Sequence, residues 1–177
     1  MCKSIVILSG SPRKSGNSET LAAAFKEGAE SAGAAVTVFQ TAHMAIGGCI
    51  GCEYCSKNPG KCALNDDMAE ILEALHKADV IVWVSPVYYF SITAQLKAAI
   101  DRTYPLVSQG VKQTVLLLTC ADESSDTAEG ALAIYQKTVQ YYDWHDAGVI
   151  IATGVENIGD IAGHDALAKA QKLGQEI

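Results

Sequence analysis

The sequence predicts an α/β fold: a three-layer sandwich in which helices cover both faces of a five-stranded parallel sheet. Three observations predict it. Short, β-branched apolar runs alternate five times with segments of helical period. Those runs are apolar at nearly every position rather than every second one, as strands buried on both faces must be. The chain has 177 residues, 49% hydrophobic and 19% charged, which suits one globular domain with a real core.

The elements follow in order. Residues 5–8 (Ile-Val-Ile-Leu) form a first strand, closed by Ser9-Gly10-Ser11-Pro12. Residues 17–32 carry Leu21, Ala24, Phe25 and Gly28 at helical spacing and stop at Gly33. Residues 35–39 are the second strand. An irregular stretch over about 43–65 follows, long for a connection in a compact domain and therefore functional in expectation. Asp66 or Asp67 caps a helix with Met68, Ile71, Leu72 and Leu75. Residues 79–85 are the third and most hydrophobic strand, and 91–104 a helix with Leu96, Ala99 and Ile100 inward. Residues 114–119 are strand four, 125–142 a long helix, 148–153 strand five, and 162–175 a closing helix. Right-handed crossovers leave doubly wound topologies. Five strands favour the flavodoxin-like order 2-1-3-4-5, with its ligand crevice at the carboxyl ends of the strands beside the switch point. No repeat, linker or low-complexity tract divides residues 1–177, so one domain is expected.

Charge and composition narrow the function. The formal net charge of -7, with no basic run, argues against nucleic-acid partners. No apolar stretch is long enough to cross a bilayer, and the first residues run into a strand without a signal-peptide layout. The expected compartment is the cytoplasm, where thiols stay reduced. Clustered cysteines there read as metal-binding or redox-active before structural disulfides.

The turn after strand one is rich in donors. Gly10 and Gly16 permit close backbone approach, while Ser11, Ser15, Asn17 and Ser18 offer side-chain donors. Arg13 adds a fork matched to phosphate oxygens, and the amides of the helix start favour an anion. Five residues separate Gly10 from Gly16 and Asn17 stands where a Walker lysine would, so this is not that loop; Pro12 rules out the Rossmann fingerprint. A terminal monophosphate is the expected guest. Ser9 and Ser11 do not form a nucleophile elbow, since Gly-x-Ser-x-Gly is absent.

Two further loops leave strands on the same rim. Pro86-Val87-Tyr88-Tyr89-Phe90 is stiff and broad enough to lie along a flat ring, with Ser91 or Thr93 opening the next helix. Thr119-Cys120-Ala121-Asp122-Glu123 could complete the wall.

Cys49-x2-Cys52-x2-Cys55-x6-Cys62 places four thiols within fourteen residues. Short spacings let one loop wrap three corners of a cubane while a longer arm supplies the fourth. Zinc held by the same thiolates, and metal-free thiols forming a transient disulfide, are the other two readings. Cys2 and Cys120 are bystanders, although Cys120 falls on the ligand rim. His43, His76, His145 and His164 are scattered and form no ligand pair; His145, between Asp143 and Asp146, reads as a solvated helix end. Tyr141, Tyr142 and Trp144 suit either core or interface.

The segments GSPRKSGNSETL and SPVYYFSITAQLKAAIDR resemble the two FMN-binding loops of the NADPH-dependent FMN reductase branch of flavodoxin-like proteins. The four cysteines, followed by Asn65-Asp66-Asp67-Met68, are similar to the iron–sulfur flavoproteins of that branch. The match covers about the first 105 residues; beyond them only the βα order agrees. The resemblance implies that Ser9, Ser11, Arg13, Asn17 and Ser18 hold the FMN phosphate. It implies that Pro86, Val87, Tyr88, Tyr89 and Phe90 border the isoalloxazine and ribityl chain. It supports a [4Fe–4S] cluster on Cys49, Cys52, Cys55 and Cys62, although relatives with such a loop and no cluster keep the metal-free reading in play. It further implies a homodimer or homotetramer. The expected activity moves electrons from NAD(P)H, or a reduced carrier such as a ferredoxin, through FMN to a quinone, flavin or iron–sulfur acceptor. No side chain need act as general acid, because the flavin carries the chemistry. A non-enzymatic flavodoxin-type carrier and a thiol or metal redox sensor are the rival readings.

Overall fold

The computed structural model describes residues 2–107 and 109–177. Its sheet has five parallel strands, β1 (Ser4–Ser9), β2 (Ala35–Gln40), β3 (Val80–Pro86), β4 (Gln113–Thr119) and β5 (His145–Ala152), in the order β2-β1-β3-β4-β5. β1, β3 and β4 are inner strands and apolar along their length, with Ile5, Ile7, Val82, Leu117 and their neighbours buried. β2 is an edge strand and buries only Phe39.

Helices α1 (Asn17–Ser31) and α6 (Asp165–Glu176) cover one face; α3 (Met68–Lys77), α4 (Ala94–Asp101) and α5 (Glu129–Tyr142) cover the other. Each face has its own core. Leu21, Phe25 and Ala170 pack on Ile5, Val82 and Leu117; Met68, Ile71, Leu96 and Tyr135 pack on Val6, Trp83 and Leu116. Alternate side chains of one strand thus feed opposite cores, as the pleat requires. The expected fold class and strand order are both present.

The boundaries differ from the sequence reading where side chains intervene. The helix expected over 91–104 is shorter, because Tyr88 and Ser91 exchange backbone hydrogen bonds and Thr93 provides the cap. It ends at Asp101 with Arg102 as C-cap, and a separate 3-10 turn Tyr104–Leu106, with Pro105 in its first positions where no N–H is needed, follows. The long helix expected from 125 begins as a 3-10 turn, Ser125–Ala128, and becomes α5 at Glu129. β5 starts at His145, whose N–H bonds Lys112 O at 2.8 Å. α6 starts at Asp165 because His164 Nδ1 accepts the Ala166 N–H at 3.1 Å. The cysteine segment is not wholly irregular: it contains a 3-10 turn Thr41–His43 and a one-turn helix α2, Tyr54–Lys57.

α1 and α6 pack closely through paired glycines. A Cβ on Gly28 would overlap the Gln171 carbonyl oxygen, and one on Gly174 would sit 2.8 Å from Ala29 N. Gly28→Ala should therefore force the helices apart and lower the unfolding free energy by about 1–3 kcal/mol. A shift of the urea midpoint at unchanged slope measures this; a wild-type midpoint contradicts the close-packing account.

Candidate functional site

Parallel strands point their carboxyl ends to one rim, and the connection reverses direction between β1 and β3. A cavity of about 210 Å³ opens there. Ser11, Arg13, Gly16, Asn17 and Ser18 form one wall, and Pro86, Val87 and Tyr88 another. Thr119, Cys120 and Ala121 after β4, with Val155 and Glu156 after β5, close it.

The first wall is built by hydrogen bonds within the turn. Ser11 Oγ accepts the Arg13 N–H at 3.3 Å. Arg13 Nη1 donates to Glu156 O at 2.8 Å, which brings the guanidinium across to the far wall. Gly16 is the N-cap of α1 and no side chain caps the helix, so its first amides are available to an anion. Ser18 Oγ and Thr119 Oγ1 share a hydrogen bond of 2.7 Å. Asn17 is used differently from the sequence expectation. Its Nδ2 donates to Val155 O at 3.2 Å and Asn157 O at 2.8 Å, and its Oδ1 accepts the Gly159 N–H at 3.1 Å. The amide is a strut that fixes the β5–α6 loop, although Asn17 still lines the cavity. Ser9 is buried with its Oγ unpartnered, and it stands behind the turn rather than on the cavity wall. An orphan buried hydroxyl at this point suits a ligand-bearing turn.

The second wall is tied to the first. Thr93 Oγ1 donates to Gly10 O at 2.8 Å and accepts the Leu96 N–H at 3.3 Å. A Cβ on Gly10 would lie 2.6 Å from Leu96 Cβ, so only glycine lets α4 approach this closely. Beyond Tyr88 the chain makes a two-residue hairpin turn. Tyr88 N–H bonds Ser91 O at 2.9 Å and Ser91 N–H bonds Tyr88 O at 3.1 Å. Tyr89 and Phe90 both take positive φ, 48° and 64°, a geometry that favours Asn-Gly. Bulky residues held there store strain, which tends to persist where function requires it. Tyr89 is 97% and Phe90 63% exposed. They line a neighbouring cavity of about 340 Å³ with Val87, Cys120 and Thr127 rather than the first one.

Thr119, Cys120 and Ala121 fall where the third loop was expected to complete the wall, whereas Val155 and Glu156 were not singled out by sequence. The signal was available: 153–164 follows the last strand on the same rim and carries Gly154, Gly159 and Gly163. Cys120 lies between the two cavities, and burial pushes its thiol pKa up, which keeps it protonated and inert.

The second feature is the cysteine loop. Cys49, Cys52, Cys55 and Cys62 all line one cavity of about 470 Å³, with Tyr54 and Tyr104 beside them. All four thiols are free; Cys49 and Cys52 are exposed, Cys55 and Cys62 half-buried. Among the described residues no three His, Cys, Asp or Glu side chains converge on a single ion. The loop is fastened at its base: Ala45 N–H donates to Asp67 Oδ2 at 2.7 Å, and Gly47 N–H to Asp66 Oδ2 at 2.9 Å. Asp66 also accepts the Met68 N–H at 3.2 Å, as a cap would, but its main partner is the buried Arg102 guanidinium. The undecided aromatics divide. Trp144 is buried and stacks on Tyr142 at 4.1 Å, while Tyr141 is exposed against Tyr104.

A doubly wound sheet with an anion-ready turn after β1 and a tied aromatic loop after β3 defines a flavodoxin-like protein. The model for the NADPH-dependent FMN reductase family matches residues 4–155, and the chain belongs to that family of flavoprotein oxidoreductases. An iron–sulfur flavoprotein of Archaeoglobus fulgidus is 33% identical over 99% of this chain and 78% of its own length. One from Methanocaldococcus jannaschii is 40% identical over 58% of this chain, an alignment that spans about half (52%) of that relative. The NAD(P)H:quinone oxidoreductase from Methanothermobacter marburgensis superposes with a TM-score of 0.76 at 20% identity, over 99% of this chain and 96% of that one, which shows the shared fold.

The hydrogen bond from Arg102, more than any other contact, holds the Asp66 carboxyl below its usual pKa. The unfolded carboxyl, near about 3.9, takes up its proton first as acid is added. The ion pair's stabilisation is therefore complete above about pH 4 and lost as pH falls through the lower folded value. Asp66→Asn should flatten the acid limb of a stability–pH curve; an unchanged limb contradicts the assignment.

Proposed function

We propose that this protein is an FMN-dependent oxidoreductase that takes electrons from NAD(P)H and delivers them to a small acceptor of the quinone or flavin type. One observation carries the reading: the uncapped start of α1 and the Arg13 guanidinium face Pro86–Tyr88 across a cavity at the switch point. The fit is chemical. Ser11, Arg13, Ser18 and the first amides of α1 suit a phosphate dianion. Pro86, Val87 and Tyr88 suit the ribityl chain and ring edge, and Tyr89 and Phe90 the outer side, where a nicotinamide or a second copy of the chain would approach. Bound there, FMN supplies a ring that accepts a hydride and releases electrons singly or in pairs. The protein binds and orients; none of its side chains is assigned a proton transfer.

The cysteine cavity extends the reading to a [4Fe–4S] cluster on Cys49, Cys52, Cys55 and Cys62. Four thiols lining one cavity match in number the four corners of a cubane. Its relatives' iron–sulfur names point the same way. Held there, a cluster supplies one-electron storage, and it would open the site to a ferredoxin-type partner. The expected setting is the cytoplasm and the expected assembly a homodimer or homotetramer, with the exposed Tyr89–Phe90 turn as a contact. Among the described residues no helix is long and apolar enough to cross a membrane.

Flavin binding tests the first part. Apoprotein should bind FMN far more tightly than riboflavin. Arg13→Ala should weaken FMN about ten- to a hundredfold, or about 1.5–3 kcal/mol, and leave riboflavin unchanged. Equal loss for both ligands removes the phosphate assignment. Oxidation of NAD(P)H with a quinone separates an enzyme from a passive electron carrier, which should turn over almost none. For the cluster, anaerobically purified protein should contain iron and acid-labile sulfide with a broad absorbance beneath the flavin bands. Yellow protein free of both sinks it, and a thiol-gated change in oligomeric state would then favour a redox sensor.

A further inference from the structure

Arg102 carries a charge that neither cavity wall uses. It caps the end of α4, and it is only 2% exposed. A buried guanidinium must have partners, and most of the partners of this one come from the cysteine loop and its exit. Nη1 donates to Gly47 O at 3.1 Å and pairs with Asp66. Nη2 donates to Leu64 O at 3.4 Å and to Cys62 Sγ at 3.4 Å. One cation therefore fastens Gly47, just ahead of the first loop cysteine, to the last one, Cys62, and to residues 64 and 66 just behind it. Among the described residues, Cys62 is the one thiol of the four that receives a side-chain hydrogen bond. The Nε–H of the same guanidinium is buried without a hydrogen-bond partner.

We propose that Arg102 is a positioning residue of the thiol site: it presets Cys62 as the fixed ligand around which the other three close, and it raises the reduction potential of the group they hold. The proposal rests on the reading of Cys49, Cys52, Cys55 and Cys62 as a [4Fe–4S] ligand set. Two physical effects support it. Pinning both ends of the loop removes part of the entropy that ligand capture would otherwise cost. An N–H···S hydrogen bond favours the reduced, more negative form of an iron–sulfur group. Asp66 divides the labour, balancing the charge of Arg102 and holding the Gly47 N–H on the opposite side of the same peptide chain.

The test uses the full chain with FMN bound. The double variant Arg102→Gln/Asp66→Asn removes both buried charges together, so neither is stranded. Arg102→Lys keeps the charge and loses the fork, and it decides the matter should the double variant fail to fold. In metal-free protein, hydrogen exchange over residues 47–64 should rise about tenfold in either variant, with β1, β3 and β4 unchanged. Wild-type exchange in that segment overturns the positioning role. In protein reconstituted anaerobically with iron and sulfide, a redox titration followed by electron paramagnetic resonance should give a more negative potential for the double variant and an intermediate one for Arg102→Lys. An unchanged potential overturns the electronic role, since a merely structural arginine would move the exchange but not the potential. If wild-type protein takes up no iron and sulfide, the cluster reading falls, and the exchange comparison still decides whether Arg102 presets the loop.

Discussion

The Thr93 hydroxyl joins the two loops on which the switch-point cavity depends. It donates to Gly10 O and accepts the Leu96 N–H, so the turn after β1 and the start of α4 share one atom. Gly10 N–H bonds Val84 O at 2.8 Å and adds a second tie between the same two strands. This contact exists only because β1 and β3 are adjacent in the sheet, and because Gly10 has no side chain to hold α4 away. The two walls of the cavity are therefore set by one rigid junction rather than by two independent loops. Preorganisation of that kind lowers the ordering cost of binding.

A second layer surrounds the junction. Asn17 spends its amide on the β5–α6 loop, Ser18 on Thr119, and Arg13 on Glu156. Residues that sequence assigns to a ligand also brace the strand ends that frame it. A donor-rich turn at a sheet rim thus serves two demands: it satisfies backbone groups of neighbouring loops and leaves helix amides for an anion. The strained Tyr89–Phe90 turn departs from local preference, as expected where a ring or a partner must be met.

The cysteine loop is a separate device built on the other side of α4. α4 carries Thr93 at its start and Arg102 at its end. One short helix therefore positions the switch-point cavity through its first turn and the thiol cavity through its last. Tyr104, immediately beyond, lines the thiol cavity.

The strand order and the class of fold were legible in the sequence, and so were two of the loops that line the rim cavity. Continuous apolar runs such as residues 80–84 can only be inner parallel strands, and a Gly- and Ser-rich turn between strand and helix has few other uses. The cysteine spacing was equally local. What the sequence left open is what depends on distant residues meeting. Asp66 reads as a helix cap until the fold brings Arg102, thirty-six positions away, against it. Val155 and Glu156 join the cavity only because β5 lies beside β4. Local chemistry is written in neighbouring residues, whereas a buried charge finds its partner only when the chain has closed around it.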